Sequence, residues 1–384
     1  MGCTGSDAAG RIVFIDEART AFMKENGDVD WDKVQERWDQ LRKVKESLAA
    51  KFYTKEVHEK AKTLPQEDQK RLLDVMMGGL CNPDSSVGVY ATRPEDYDNF
   101  NFYLEPLIRA YHKIEGDTKQ THDWKIPVGK YLLKELNPAL DKVSMRARVA
   151  RNVKGWNLPP SMDKAERLKF EATMEEVFAK LEFPGKYHSL TPGHKNELTA
   201  AEADKMRNDH FLFNDMTTDN HLTSSGVAND WPHGRGIWLS EDKTKMVWVG
   251  EEDQLRIISI VQGNDLGIVD DSLRSLLTQM EKAGLTFAEH PVYGVITTCP
   301  TNMGTGKRQS ILGQFPNITK KGTDEKALKE LARSFNLQAR GMGGEHSAMD
   351  ANGTADISPS ARFGVTEAVV ANRLYEGLKE LYAV

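Results

Sequence analysis

Trp31, Val34, Trp38, Leu41, Val44 and Leu48 recur at steps of three or four residues, with Lys and Glu between them. That spacing predicts a helix with one apolar stripe and a charged outer face. Residues 66–80 carry a second helical pattern, which Gly78 and Gly79 are expected to stop. A polar turn follows (Asn82-Pro83-Asp84-Ser85-Ser86), then Val87-Gly88-Val89-Tyr90. Helical spacing resumes over 95–113 with Tyr97, Phe100, Tyr103, Leu104 and Tyr111, so the first third reads as a small all-helical unit.

Residues 114–140 are mixed and polar, with Gly116, Pro127, Gly129 and Pro138, and read as a linker. Beyond it the pattern alternates. Lys245–Val249, Leu255–Val261 and Val292–Thr298 are short, β-branched and aromatic, as strands are. Residues 163–181, 271–283, 324–335 and 366–382 show helical amphipathicity. Short and long connections between strands suit an α/β or α+β domain, and the close spacing of the runs near 247 and 258 favours antiparallel pairing there. Residues 341–354 hold four glycines and no apolar period, which predicts a loop. Its Glu345-His346 pair makes an active-site lid one reading and a plain surface loop the other.

The chain has 384 residues, enough for two or three domains at roughly 150 residues each. A net charge of −6 argues against a nucleic-acid binder that works through bulk positive charge. No apolar run reaches the roughly 18 residues that a membrane span needs. Three scattered cysteines, Cys3, Cys81 and Cys299, give neither a disulfide framework nor a CxxC metal site, and fit a reducing, cytoplasmic compartment. The opening Met1-Gly2-Cys3-Thr4-Gly5-Ser6 fits the pattern for acylation at Gly2, with Cys3 available for a second acyl chain. Against membrane association, Asp7 stands where a basic residue would help, and the alternative is an ordinary flexible N-terminus.

Several constellations could carry chemistry. Arg146 and Arg148 are two apart, which on a strand sets both guanidinium groups on one face as a polyphosphate clamp or, more plainly, a solvated basic edge. Glu251-Glu252-Asp253, between two strand-like runs, reads as a solvent-facing turn or as a carboxylate site for a cationic substrate, with Arg256 holding an anion. Cys299 ends an apolar run beside hydroxyls and the cations Lys307 and Arg308; it is either a thiol of depressed pKa or an inert buried one. The Gly306-Lys307 step is no P-loop, because Thr301 stands where the first glycine should be and Arg308 follows the lysine. Ten histidines show no metal spacing, and His210 beside Phe211-Leu212-Phe213 reads as structural.

Taken together and in this order, these segments resemble the phosphagen (ATP:guanidino) kinases, with the arginine-specific branch nearest. The resemblance runs from about residue 20 to the C-terminus. It rests most on Cys299-Pro300-Thr301-Asn302-Met303-Gly304-Thr305 and Glu251–Ser259, with support from Trp231–Ile237, Ser144–Arg148 and Arg340–His346. It implies an α+β fold: a small all-α N-terminal domain, then a larger domain with an antiparallel sheet flanked by helices. On this reading residues 1–19 form a flexible N-terminus, 20–115 a helical guanidino-substrate domain, 116–140 the linker and 141–384 the catalytic ATP-binding domain. The implied reaction is reversible transfer of the γ-phosphoryl group of MgATP to L-arginine, giving phosphoarginine and ADP without a phosphocysteine.

By that resemblance Ser144, Arg146, Arg148, His210, Arg256, Arg308 and Arg340 would bind the nucleotide. Mg²⁺ would be held through the ATP phosphates rather than by protein ligands. Glu252 and Glu345 would grip the guanidinium and take its proton, and the Cys299 thiolate would help orient it. Ser85, Ser86, Val87, Gly88 and Tyr90 would read the amino-acid end, with Gly88 permitting close backbone approach. The resemblance leaves monomer or homodimer open and implies no nucleic-acid partner.

Four departures stand out: Ser86 for a glycine, Leu312 where histidine is frequent, Gly343 for a cation, and no arginine after Phe213 to pair with Asp84. The last puts the expected interdomain latch in question. The alternatives are a kinase for taurocyamine, lombricine or creatine, a nucleotide-binding membrane scaffold and, least favoured, a protein-arginine kinase.

Overall fold

The computed structural model describes residues 14–341 and 348–383. The N-terminal part is helical: α1 (Phe14–Thr20), α2 (Trp31–Val44), α3 (Leu48–Phe52), α4 (Lys55–Thr63), α5 (Gln66–Cys81), α6 (Asp96–Asn99) and α7 (Asn101–His112). Trp31, Val34, Trp38 and Leu41 face inward from α2 as the stripe requires. The stripe breaks where Val44, 75 % exposed, ends the helix. Ser47 then caps a new helix by accepting from the Ala50 amide, so Leu48 belongs to α3.

Two boundaries differ from expectation. Residues 14–20 are helical rather than a flexible lead-in, held by the Arg19–Asp74 ion pair at 3.0 Å. Helix α5 is not stopped by Gly78 and Gly79 but runs through both to Cys81. A Cβ on Gly79 would stand 2.5 Å from the Gly88 carbonyl oxygen and 2.8 Å from Trp38; one on Gly78 would stand 2.7 Å from the Tyr90 ring. These glycines let the 85–91 loop lie on the helix.

The connecting stretch is strapped down. Gln120 bonds the Val365 carbonyl and the Gly364 amide, and Glu367 accepts from His122 and the Asp123 amide. The larger part comprises β1 (Val143–Arg151), α8 (Lys164–Phe178), β2 (Gly185–Ser189), α9 (Ala200–Asn208), α10 (Asn220–Ser224), β3 (Gly236–Ser240), β4 (Lys245–Val249) and β5 (Leu255–Gly263). It continues with α11 (Leu266–Lys282), β6 (Glu289–His290), β7 (Gly294–Val295), β8 (Lys307–Gln314), α12 (Glu325–Ser334), β9 (Leu337–Arg340), β10 (Thr354–Pro359) and α13 (Glu367–Leu381).

Eight strands form one antiparallel sheet in the order β2-β3-β4-β5-β1-β8-β10-β9. Strand alternation divides its faces. Met145, Ala147, Val149, Val247 and Ile257 pack into one core with Phe170, Leu273 and Leu374 from the helices. Met246, Trp248 and Ile258 point the other way, against Phe213 and Val227.

The expected strand over 292–298 shrinks to Gly294–Val295. Beyond it the backbone finds other partners. Tyr97 donates to the Thr297 carbonyl, the Ala91 amide to the Thr298 carbonyl, and the Thr298 amide to Asp253. An apolar, β-branched run thus joins the two parts of the molecule instead of extending a sheet.

Candidate active site

On β1, Arg146 and Arg148 alternate with buried Met145, Ala147 and Val149. Across the β1–β8 register Arg148 faces Arg308, and across β9–β10 Arg340 faces Asp356. These four arginines and Arg256 line one cavity of about 590 Å³, which His210 borders from the end of α9. Arg308 grips Asp356 with both arms, at 2.7 and 3.1 Å. Asp356 is held below the ordinary carboxylate range: burial pushes it up, but Arg308 and Arg146 outweigh that. Trp248 lies 5.9 and 5.8 Å from the guanidinium carbons of Arg146 and Arg256, within cation–π range.

Arg146 and Arg148 are under-compensated. Burial drives Arg146 down to about 10, with Asp356 opposing and Arg308 adding to it. Among the described residues Nε and Nη2 of Arg146 have no hydrogen-bond partner. Burial, then Arg256, Arg308 and Arg146, push Arg148 well below the usual range. Such a wall favours a ligand that spreads negative charge over several oxygens.

The acidic turn abuts this wall. Glu251 accepts from Arg256 at 2.9 Å. Glu252 lies 3.9 Å from the same guanidinium and accepts from Asn302 at 2.7 Å. Burial first, then the Glu251 charge, push Glu252 up to about 7 against the pull of Arg256. Asp253 is not a solvent-facing turn residue: it is fully buried and receives Asn152 at 2.8 Å and the Thr298 amide at 2.7 Å.

Cys299 lies beside this turn, its Sγ 3.2 Å from the Thr301 hydroxyl. The expectation of a depressed thiol pKa is reversed. Burial, then the Glu252 charge, push it up to about 12, so the thiol is neutral here. Lys307 points through the sheet to Asp270 at 2.5 Å and Arg308 is spent on Asp356, so neither cation serves the sulfur.

Tyr90 reaches the same corner, and its hydroxyl is raised by burial and by the Cys299 and Glu252 charges. The rest of that loop turns inward. Ser85, Val87 and Gly88 are buried, and Ser86 is exposed. The Gly88 φ of +87° serves packing against Ala49 and Gly79, so its close approach is to the protein's own helix. Where an arginine was missing opposite Asp84, His221 on α10 lies 3.5 Å from that carboxylate.

Ser144 shares the open face of β1 with the arginines but is not on the cavity wall. Glu345, Gly343, Gly2 and Cys3 lie outside the described residues. Sequence reasoning missed Asp356, Trp248, Asn302 and Arg362. Asn302 stood inside a segment already singled out, and Trp248 stood inside a strand-like run. Asp356 and Arg362 have no local signal, because only the sheet register and the chain's return after β10 bring them here.

Residues 43–109 match the N-terminal domain of ATP:guanido phosphotransferase, and residues 169–384 match its C-terminal catalytic domain. The arginine kinase of Liolophura japonica is 36% identical over 357 residues, covering 91% of this chain and 96% of that protein. Among solved structures, the duplicated taurocyamine kinase of Schistosoma mansoni with bound transition-state analogue components superposes with a TM-score of 0.78 at 30% identity over 96% of this chain. The chain spans about half of that duplicated protein, 50%. A lombricine kinase superposes with a TM-score of 0.69 at 28% identity, covering 84% of this chain and 91% of the other. The chain belongs to the ATP:guanido phosphotransferase family, the phosphagen kinases, and its enzyme class is phosphotransferase.

Proposed function

We propose that the protein phosphorylates L-arginine from MgATP, reversibly and by direct in-line transfer. The observation that carries this reading is the junction at Arg256: Arg146, Arg148, Arg256, Arg308 and Arg340 line one cavity, and their wall meets the Glu251–Glu252 pair through that guanidinium. Phosphoryl transfer asks chiefly for alignment and for stabilisation of negative charge on the moving group. Arg146, Arg148, Arg256, Arg308 and Arg340 supply the charge, Mg²⁺ arrives with the nucleotide as part of the substrate, and Glu252 holds the cationic acceptor.

In the step itself, a guanidino nitrogen lone pair forms the bond to Pγ while the Pγ–O bond to the β-phosphate breaks and ADP leaves with that electron pair. The proton lost from the nitrogen passes to Glu252, whose affinity near neutrality suits a base. Glu345 is proposed as the second carboxylate. A cation docked between Glu252 and Cys299 would lower both pKa values, so a Cys299 thiolate is proposed for the substrate complex rather than for the empty site.

Arginine as acceptor is supported by the short 85–91 loop and by the Liolophura relative. The taurocyamine and lombricine kinase structures favour a second reading, a different guanidino acceptor. ADP formation from MgATP, measured against L-arginine, taurocyamine, lombricine and creatine, tests both. The expected result is a kcat/KM for arginine at least tenfold above the others; turnover with another compound alone selects the second reading.

A further inference from the structure

Arg362, in the loop after β10, is a half-buried cation among cations. Burial drives its pKa down to about 10, with Tyr111 opposing and Arg308, Arg340 and Arg256 adding to it. Among the described residues no carboxylate lies within ion-pair distance of it. It donates instead to the Asn302 side-chain oxygen, and more weakly to the Thr301 carbonyl at 3.4 Å. Its backbone is fixed as well: its carbonyl accepts from the Thr305 amide at 2.9 Å and hydroxyl at 3.1 Å. A Cβ on Gly304 would stand 2.3 Å from that carbonyl oxygen, so the glycine at φ +91° is what lets the 299–305 segment close around residue 362.

A side-chain amide has one acceptor end and one donor end. Arg362 can only donate, so it claims Oδ1 and turns Nδ2 outward. Nδ2 meets Oε1 of Glu252 at 2.7 Å. We infer that Arg362 and Asn302 form a positioning couple for the acceptor-binding carboxylate. Arg362 sets the direction of the Asn302 amide, and Asn302 pins one oxygen of Glu252 so that the other faces the guanidinium. This inference rests on the arginine-kinase reading and deepens it.

The couple also bears on the charge of Glu252, because a hydrogen bond given to a carboxylate favours its ionised form. The charged and titratable groups around that carboxylate are Glu251 and Asp253 on its own turn, Arg256 on β5, Arg362 after β10, Cys299, Tyr90 from the 85–91 loop and Tyr97 on α6. Removing the Asn302 donor leaves the two neighbouring acids less opposed.

The test is kinetic, on the full chain from pH 5.5 to 8.5, with Asn302→Ala, Arg362→Ala and Arg362→Lys. Losing a hydrogen bond to a charged group should lower kcat/KM for arginine about 10- to 100-fold in Asn302→Ala. The acid limb of the profile should move up by about one pH unit, while KM for MgATP stays within twofold. Arg362→Ala should move the same limb in the same direction, and Arg362→Lys, which keeps the cation, should bring it back towards the wild-type position.

A limb left in place in both alanine variants, or a loss confined to KM for MgATP, overturns the inference. If Asn302→Ala does not fold, Asn302→Ser and the two Arg362 variants decide on the same readouts. A wild-type protein that phosphorylates no guanidino compound removes the underlying reading and this inference together. A wild-type protein that does so, with unshifted variants, removes this inference alone.

Discussion

Glu252 carries opposite demands at the level of one side chain. In the proposed reaction it must be ionised to hold a guanidinium, yet burial and Glu251 raise its pKa to about 7. Between the ordinary carboxyl value and that figure the folded protein binds more protons than the unfolded chain, so this residue lowers stability as pH rises through that window. Glu252→Gln should therefore cut turnover by about 10²- to 10⁴-fold with KM for MgATP unchanged. Its Tm advantage over wild type should also grow from pH 5 to pH 8; retained turnover would remove Glu252 from the chemistry. The neighbouring thiol makes a second case. With its pKa pushed up to about 12, Cys299 in the ligand-free protein should react with iodoacetamide at pH 8 at least tenfold more slowly than a free thiol, and a fast rate would contradict the burial argument. The sequence pointed to Glu252, Cys299 and Tyr90 but not to Asn302 or Arg362 beside them, nor to any protonation state. Cys299 stands near Lys307 and Arg308 in the chain, and only the alternation of β8 reveals that one of them points through the sheet and the other is committed to Asp356.

Helix α5 and the loop lying on it depend on the same two glycines. Intrinsic propensity favours alanine over glycine inside a helix by about 1 kcal/mol. At Gly79 that gain is opposed by a Cβ 2.5 Å from the Gly88 carbonyl and 2.8 Å from Trp38, and overpacking of this kind costs about 1–3 kcal/mol. Gly79→Ala should be net destabilising in urea titration. By lifting the 85–91 loop it should also raise KM for the guanidino acceptor more than KM for MgATP; equal changes in both would separate the loop from acceptor binding. Element identity was largely legible where burial is one-sided. Residues 245–249 and 255–261 alternate and became β4 and β5, and the helices over 163–181, 271–283, 324–335 and 366–382 appear within a few residues of their expected limits. Legibility failed where the backbone found distant partners. Residues 292–298 are apolar enough for a strand, but Tyr97, Ala91 and Asp253 take their polar groups, and no local pattern announces contacts made across 45 to 207 positions in the chain. Gly78 and Gly79 misled for a related reason: a glycine pair signals a helix end only when nothing packs against it.

Across the whole molecule, the arginine-lined wall stores a cost that an anionic ligand would remove. Arg146, Arg148, Arg256, Arg308 and Arg340 converge on one cavity, and Arg148, directly opposite Arg308, is pushed well below the usual range by burial and then by Arg256, Arg308 and Arg146. Apolar replacement of a poorly compensated buried charge is commonly neutral or stabilising, whereas a multivalent anion bound only by the folded state adds stability by mass action, about 2.7 kcal/mol at a hundred times its Kd. Arg148→Met should therefore leave the Tm of the ligand-free protein unchanged or higher, and should lose most of the several-degree rise that saturating MgADP gives wild type. The two scans together make the argument, because a merely structural Arg148 predicts the reverse: a lower ligand-free Tm with the MgADP increment intact. The same wall predicts that KM for MgATP rises with ionic strength, less steeply in Arg148→Met, since one fewer fixed charge is screened. Asp84 and His221 meet at the surface between the helical part and the sheet domain, with Asp84 81% exposed, and an exposed pair of this kind contributes little. On the proposed reading the response to nucleotide is governed by the cavity arginines, so His221→Ala should alter the MgADP-induced Tm rise far less than Arg148→Met does.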